Sequence, residues 1–421
     1  MTSRWVNPHT IAKDLSSFGL MLCLLLWSWL PSGMASEAPE IPALKEIAAP
    51  AVPEAWLVTY GPGNIYWERF GHNAIWLREP VAGIDHTFNF GFFDFEQQDF
   101  MLRFAQGRML YFAVAQPAAR EFEFYRNANR SIRLQKLNLN PDQYQRLRNY
   151  LLEEIKPENR DYRYDYYLNN CSTRVRDALD IALEGALSER SKKLPADFNF
   201  RDQTRRLTQM QFWYYLGLEL ALGFPADHSI SRWEEMFIPM VVAAEIATMP
   251  SLENAQNQAL VASDEMLFTT TAPAAPTQPG STWCRYFVLG LLVSVLAWLS
   301  GRFLPLPWLA GLCHAWLLVN ATSGFILAAL WWLTDHQVAG NNANLLLLNP
   351  LLILALLPSL KRFSTLLLTT GVGLNLILLL LPGHQYNLDA LALLAPVNLS
   401  VAVYFWLYHT KFTTASPRLF H

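Results

Sequence analysis

Covalent catalysis by a side chain needs a nucleophile, a base to take its proton and a polar group to orient that base. Cys171 stands where such a nucleophile would be placed. It follows the aromatic run Asp161-Tyr-Arg-Tyr-Asp-Tyr-Tyr-Leu-Asn-Asn170 and opens a segment in which Val175, Ala178, Leu179, Ala182 and Leu183 recur at helical spacing. The pattern predicts a helix whose first turn holds Cys171 and whose cap is Asn169 or Asn170. Unpaired N–H groups and the positive end of the helix dipole would there favour the thiolate. A small cysteine packed under a helix start is the plainer assignment. For the base, His72 follows Gly71 in a strand-like run and precedes Cys171 in the chain. Asn89, which shares a strand face with Thr87 and Gly91, is preferred as the orienting group, with His86 in reserve. Each has an ordinary alternative, a core histidine for His72 and a turn residue for Asn89. No pair among Cys171, His72 and His86 has the short spacing of a zinc site, so no metal and no cofactor is expected.

These residues need elements to hold them. Trp56-Leu-Val-Thr-Tyr-Gly-Pro-Gly63 reads as a short strand and a turn. In Phe70-Gly-His-Asn-Ala-Ile-Trp-Leu77, alternation puts His72, Ala74 and Trp76 on one face and Asn73, Ile75 and Leu77 on the other. Asp85 to Phe95, Met109 to Gln116 and Ser131 to Leu139 read as further strands, and Pro141 to Ile155 as a helix capped by Asn140. Residues 190–250 read as mostly helical and aromatic, with Phe212, Trp213, Tyr214, Tyr215, Trp233, Phe237 and Pro239. Core packing accounts for them; contact with a membrane surface is the sharper alternative. The mixture predicts an α+β domain over 56–268.

Composition sets the wider frame. With 52% hydrophobic and 16% charged residues among 421, the chain is too apolar for a wholly soluble protein. A net charge of -3 gives no ground for a nucleic-acid partner. Residues 1–35 combine Arg4 and Lys13, an apolar run from Phe18 to Leu30 and small residues up to Ala35, the pattern of a cleaved signal peptide; an uncleaved anchor is the alternative. Residues 36–55 read as a tether and 269–282, rich in Thr, Ala and Pro, as a linker. Of the four cysteines, Cys23 falls in the leader and Cys284 and Cys313 in or beside later apolar runs, which leaves Cys171 alone in an exported domain.

From Trp283 onward five apolar spans are expected, over about 283–303, 308–333, 344–360, 363–381 and 388–409, with a cytoplasmic tail at 410–421. If the domain before them is outside, Arg302, Lys361, Arg362, Lys411 and Arg418 all fall on the inner side, as the positive-inside rule requires. The outer loops then carry His336 and His384, either ordinary loop residues or contributors to a site. His314 and Asn320, inside the second span, are expected to face the bundle.

Phe70-Gly-His-Asn-Ala-Ile75, Phe88-Asn-Phe-Gly-Phe-Phe-Asp-Phe95, Pro157-Glu-Asn-Arg160, Tyr162-Arg-Tyr164 and Asn170-Cys-Ser-Thr-Arg174 together resemble the exported domain of the bacterial Lnb-type lipoprotein N-acyltransferases. The resemblance continues through Trp233-Glu-Glu-Met-Phe-Ile-Pro239 and more faintly to Asp335-His336 and Asn344 to Pro350. Ser172, where Ala or Thr is expected, and Phe88 and Phe90, where Tyr is common, depart from the pattern without touching the dyad. The His-before-Cys order is also similar to circularly permuted papain-like folds of the lecithin-retinol acyltransferase type. The resemblance implies such a fold joined to an all-α membrane bundle of five helices in the bacterial inner membrane, with the first domain in the periplasm. It implies acyl transfer from a phospholipid donor, through a Cys171 thioester formed with His72, to a lipoprotein's N-terminal amine. Backbone N–H groups of residues 171–173 would stabilise the oxyanion, with Tyr164, Asn170, Arg174 and His336 supporting the site and an apolar cavity taking the chain. A membrane-anchored cysteine amidase or peptidase acting on cell-wall peptides and a non-catalytic membrane sensor are the rival readings.

Overall fold

Alternating runs between turn residues become one antiparallel sheet in the computed structural model, which describes residues 52–251, 259–280, 282–303, 306–357 and 360–414 together with Leu44 and Pro50. The expected signal peptide and most of the tether lie outside the described residues. The strands are β1 (Glu54–Tyr60), β2 (His72–Glu79), β3 (Ile84–Phe92), β4 (Leu110–Pro117), β5 (Ile132–Leu137), β6 (Asp161–Arg163) and β7 (Val261–Phe268), in the spatial order β6-β4-β3-β2-β1-β5-β7. Helices α1 (Phe100–Ala105), α2 (Ala118–Asn127), α3 (Pro141–Glu154) and α4 (Cys171–Ala182) are interleaved with them, so the N-terminal domain is α+β. Asn140 caps α3 through a reciprocal pair with Gln143, and Pro141 occupies the first position, where its missing N–H is no loss.

The period-two pattern of β2 separates two cores. Ile75 and Leu77 pack with Leu57, Leu147, Val175 and Leu179, so α3 and α4 cover that face. Ala74 and Trp76 pack with Tyr60, Phe122 and Tyr125, so α2 covers the other. Of the aromatics in 190–250, Tyr215 and Phe237 are buried, which fits core packing, whereas Trp213 is exposed.

Among the described residues, three helices are long and apolar enough to cross a membrane: Trp283–Gly301, Pro307–Trp332 and Leu388–Leu407. They form most of α9 (Trp283–Phe303), α10 (Leu306–Trp332) and α12 (Leu388–Thr414). The expected fourth span is α11 (Lys361–Leu378), an 18-residue helix whose charged and hydroxyl-bearing start keeps it out of that group. The expected third span is corrected. Residues 344–357 hold a helical turn at Asn344–Leu347 and a 3-10 stretch at Pro350–Leu356 instead of one helix. Pro350 forces Asn349 into extended geometry, φ -94° and ψ 119°. The freed backbone groups are met by buried amides: Asn320 and Asn398 donate to Leu347 O at 3.1 and 2.9 Å, and Asn349 N donates to Asn320 Oδ1 at 2.9 Å. The broken segment still runs beside α10, Leu347 packing with Leu327 and Leu352 with Leu309 and Leu317. His314 holds its Nδ1 2.7 Å from Ala310 O, and Asn320 is fully buried.

The two halves interlock through polar contacts. Between them lie α6 (Phe200–Thr208), α7 (Phe212–Ala221) and α8 (Pro239–Ala247), after the short α5 (Ala186–Ser191). Asn342 and Asn344 donate to the last carbonyls of α7, and Arg205 donates to Tyr386 O at 2.8 Å. Asp335 takes Arg108 at 2.8 Å and Arg163 as well. Gly107, at φ +71°, lets the chain lie against Asp335 and His336, where a Cβ would meet backbone at 2.9 Å. The stretch 269–282 follows the same surface, Arg206 donating to Pro276 O at 2.9 Å.

Candidate active site

Cys171 is the first residue of α4, and the cap is Asn170, whose Oδ1 accepts from the N–H groups of Ser172 and Thr173 at 2.9 Å each. Two of the three donors expected for an oxyanion are therefore engaged by the cap. The backbone N–H groups of Asn73, Ser172 and Cys171 nonetheless favour a charge on the sulfur. The Asn73 N–H belongs to the peptide that joins it to His72, so the start of β2 and the start of α4 meet at the thiol. Gly91 brings a third strand in. At φ +89°, within the register shift between Asn89 and Phe92, a Cβ there would stand 3.3 Å from the Cys171 Cβ.

The His72 ring is held through Nε2, 2.9 Å from Asn89 Oδ1. What fixes the amide is Glu121 on α2, which the sequence pattern did not single out. Asn89 Nδ2 donates to Glu121 Oε2 at 2.6 Å, Tyr60 donates to Oε1 at 2.6 Å, and Thr87 Oγ1 also donates to Oε2. A reversed amide would set oxygen against carboxylate, so Oδ1 must face the ring. The ring then donates from Nε2, and in the neutral tautomer Nδ1 is left as the unprotonated nitrogen. Tyr60 and Tyr125, stacked on each other at 3.5 Å, lie beside the imidazole with centroids 5.9 and 6.2 Å away. His86, the reserve orienter, sits farther along β3, where its Nδ1 accepts from Asp85 N at 3.3 Å.

Burial rules the electrostatics. It pulls the His72 imidazole down to about 4, against the hydrogen bond that the ring donates to Asn89, and pushes the Cys171 thiol up to about 11, against the N–H groups of Asn73 and Ser172. The helix start was expected to favour thiolate; desolvation outweighs it, and at neutral pH the resting pair is thiol and neutral imidazole. Burial also raises Glu121, while its three donors pull the other way. Arg130 is the nearby cation. It is buried over the Tyr125 ring at 4.7 Å, donates to Gly61 O at 2.9 Å and pairs with Glu68 at 3.6 Å. Its charge favours thiolate at Cys171 and opposes imidazolium at His72.

The remaining expected site residues separate. Tyr164 stacks on Tyr111 at 4.2 Å and lies close enough for its phenol to feel a charge on Cys171. Asn170 works as the cap and also donates to Tyr166 O and Phe237 O. Arg174 lies over Tyr162 at 4.9 Å and pairs with Glu154. His336, from the loop after α10, stacks on Tyr166 at 6.0 Å and holds Nε2 3.1 Å from Phe104 O. His384 turns to Leu381 O in its own loop. Among the described residues no group of three His, Cys, Asp or Glu is arranged for a metal. Two clefts of about 340 and 460 Å³ lie at Asn64–Tyr66 with Gln211–Tyr214 and at Leu194 with Val241. Neither borders Cys171, so the apolar hollow expected beside the sulfur is not one of them.

An α+β domain that carries a helix-start cysteine and a strand histidine, joined to long apolar helices, is the make-up of a membrane protein. Residues 43–209, which include His72, Asn89, Glu121 and Cys171, match the family model described as the Lnb N-terminal periplasmic domain, which supports an Lnb-type relationship. No curated protein and no solved structure matches it.

Proposed function

We propose that the chain is a lipoprotein N-acyltransferase that carries a fatty acyl group from phospholipid as a Cys171 thioester. The observation that carries this reading is the His72–Asn89–Glu121 chain, which leaves one imidazole nitrogen free as a base on the strand that the Ser172–Asn73 hydrogen bond ties to the cysteine helix. His72 Nδ1 takes the thiol proton as Cys171 Sγ attacks the ester carbonyl of a phospholipid. The N–H groups of Cys171 and Asn73 stabilise the oxyanion, helped by the Arg130 charge. The carbon–oxygen bond breaks, the departing lysophospholipid oxygen takes the proton from His72, and the acyl group stays on sulfur. The α-amine of a lipoprotein's N-terminal diacylglyceryl-cysteine then attacks the thioester. His72 accepts its proton and returns it to the departing sulfur, which restores the thiol.

The same reading makes the domain a circularly permuted papain-like fold, since the histidine strand precedes the cysteine helix. It puts the apolar helices in the bacterial inner membrane as a multi-pass domain, with the first domain in the periplasm. Donor and acceptor are both lipids, and the contacts of Asp335, Asn342 and Asn344 with the first domain support a site held at the bilayer surface. Mass spectrometry of lipoprotein N-termini tests the assignment. Cells that rely on this chain should show an added amide-linked acyl group, lost with Cys171→Ala; N-termini that stay identical in the two strains would refute it.

A further inference from the structure

Single exposed apolar side chains are ordinary, but a contiguous set beside a membrane-crossing helix is not. Helix α1 is six residues long and turns Met101, Leu102 and Phe104 outward at 69%, 56% and 41% exposure. Tyr66, Trp67 and Trp213 are each more than half exposed. They form one rim. Tyr66 rests on Tyr214 at 5.1 Å, Trp67 on Phe95 at 6.5 Å, and Phe95 on Phe100 of α1 at 5.0 Å. The 340 Å³ cleft opens inside it, between Ile65–Tyr66 and Phe212–Trp213.

The rim is continuous with the ends of two apolar helices. Phe212 stacks on Tyr286, in the first turn of α9, at 5.4 Å. Gln106 O, at the end of α1, accepts from Asp335 N at 2.8 Å, and Asp335 follows shortly after the stacked Trp331–Trp332 pair that closes α10. Trp and Tyr prefer the headgroup level, and Met, Leu and Phe the acyl boundary beneath it. On the other side the rim leads to the thiol, because Gly91 touches Cys171 and the same chain runs on to Phe93 and Phe95.

We propose that α1, the Tyr66–Trp67 turn and Trp213 are immersed in the outer-leaflet interface of the bilayer that holds the helices, making this rim the surface through which a lipid reaches Cys171. The proposal rests on the membrane placement given above but not on the acyl-transfer chemistry. Its occupant is the lipid surface itself.

Full-length protein with Cys23, Cys171, Cys284 and Cys313 changed to Ser would carry one added cysteine, Met101→Cys or, as the water-facing control in the β2–β3 turn, Val81→Cys. Each is labelled with an NBD fluorophore in nanodiscs of phosphatidylcholine. The label at 101 should emit at shorter wavelength and be quenched by lipids bearing a nitroxide high on the acyl chain, while the label at 81 should not. Equal emission and equal quenching at both positions would overturn the placement, whatever the chemistry proves to be. In the otherwise native chain, Met101→Asp with Leu102→Asp should raise the vesicle concentration needed for half-maximal Cys171 acylation about tenfold. The same variant should leave acylation by a monomeric short-chain phospholipid unchanged. An equal loss with both donors would mean that α1 supports the fold and does not meet the bilayer.

Discussion

Ser172 Oγ lies 3.0 Å from Asn73 Oδ1, so the residue after the cysteine is tied to the residue after the histidine. The hydroxyl also reaches Met236 O at 2.8 Å, its one proton serving two buried acceptors. Asn73 is fixed in turn by its donation to Thr59 Oγ1 at 2.8 Å. The spacing of Cys171 and His72 is thus set by a side-chain bond between their neighbours. Ser172→Ala should leave both acceptors short of a donor, costing about 1–3 kcal/mol of stability. It should also slow thioester formation about tenfold as the pair loses its setting. Stopped reactions read by intact mass, beside denaturant unfolding of the same variant, check both; an unchanged acylation rate would remove the bond from the account.

Glu121 is the far end of the His72 chain, and its function is separable from its charge. Glu121→Gln keeps the volume but offers the three donors a side chain with one acceptor oxygen and an NH₂. Asn89 is then free to turn, and the tautomer of His72 with it. Acylation should fall on the order of tenfold to a hundredfold, as for other groups that orient a reacting histidine. Asn89→Ala should be no more active than Glu121→Gln, and the double variant no worse than either alone. Additive losses would show that the two act independently.

The pH behaviour follows from burial. With His72 at about 4 and Cys171 at about 11, the base is neutral and the thiol protonated across that whole interval. Acylation by a fixed donor should be flat from pH 5.5 to 8, with no step near the ordinary histidine value of ~6.5. Alkylation of Cys171 by iodoacetamide should climb with pH well beyond 9. For folding, a lowered imidazole means that the unfolded chain binds more protons between about 4 and ~6.5. The His72 contribution to stability is therefore complete above ~6.5 and is lost as pH falls toward 4. A bell centred on 6.5 in the acylation profile would contradict this.

Gly91 can be tested with one methyl group. At φ +89° a side chain is strained, at roughly 1–3 kcal/mol, and its Cβ would press on Cys171 at 3.3 Å. Gly91→Ala should cut thioester formation at least tenfold while Gly83→Ala, at φ +66° in an open turn, loses only stability. Comparable acylation by the two variants would show that the bulge does not set the cysteine.

What sequence could and could not show divides along physical lines. Helical spacing after Cys171 and alternation through Ile75 and Leu77 are local, strong periods, and both elements form where the pattern puts them. Helix α2 was not legible, because Arg120, Glu121, Glu123 and Arg126 dilute the period of Ala118, Phe122 and Tyr125. Glu121 was hidden with it, although a carboxylate between two apolar positions of one face is the sign that could have found it. Strand β7 is a polar edge, its place set by pairing with β5 instead of its own composition. Hydropathy averages over a window and so passes across Asn349–Pro350, where the third span breaks. The thiol's height above its ordinary value depends on what packs around it, which no motif encodes.

Intact-mass analysis of the purified full-length protein mixed with phospholipid addresses the central claim most directly. The account predicts a gain of one fatty acyl chain on Cys171 that neutral hydroxylamine removes, that Cys171→Ala abolishes and that His72→Ala slows about a hundredfold or more. A wild-type protein that stays unmodified with every phospholipid class offered, or that is acylated equally well without Cys171, would contradict it.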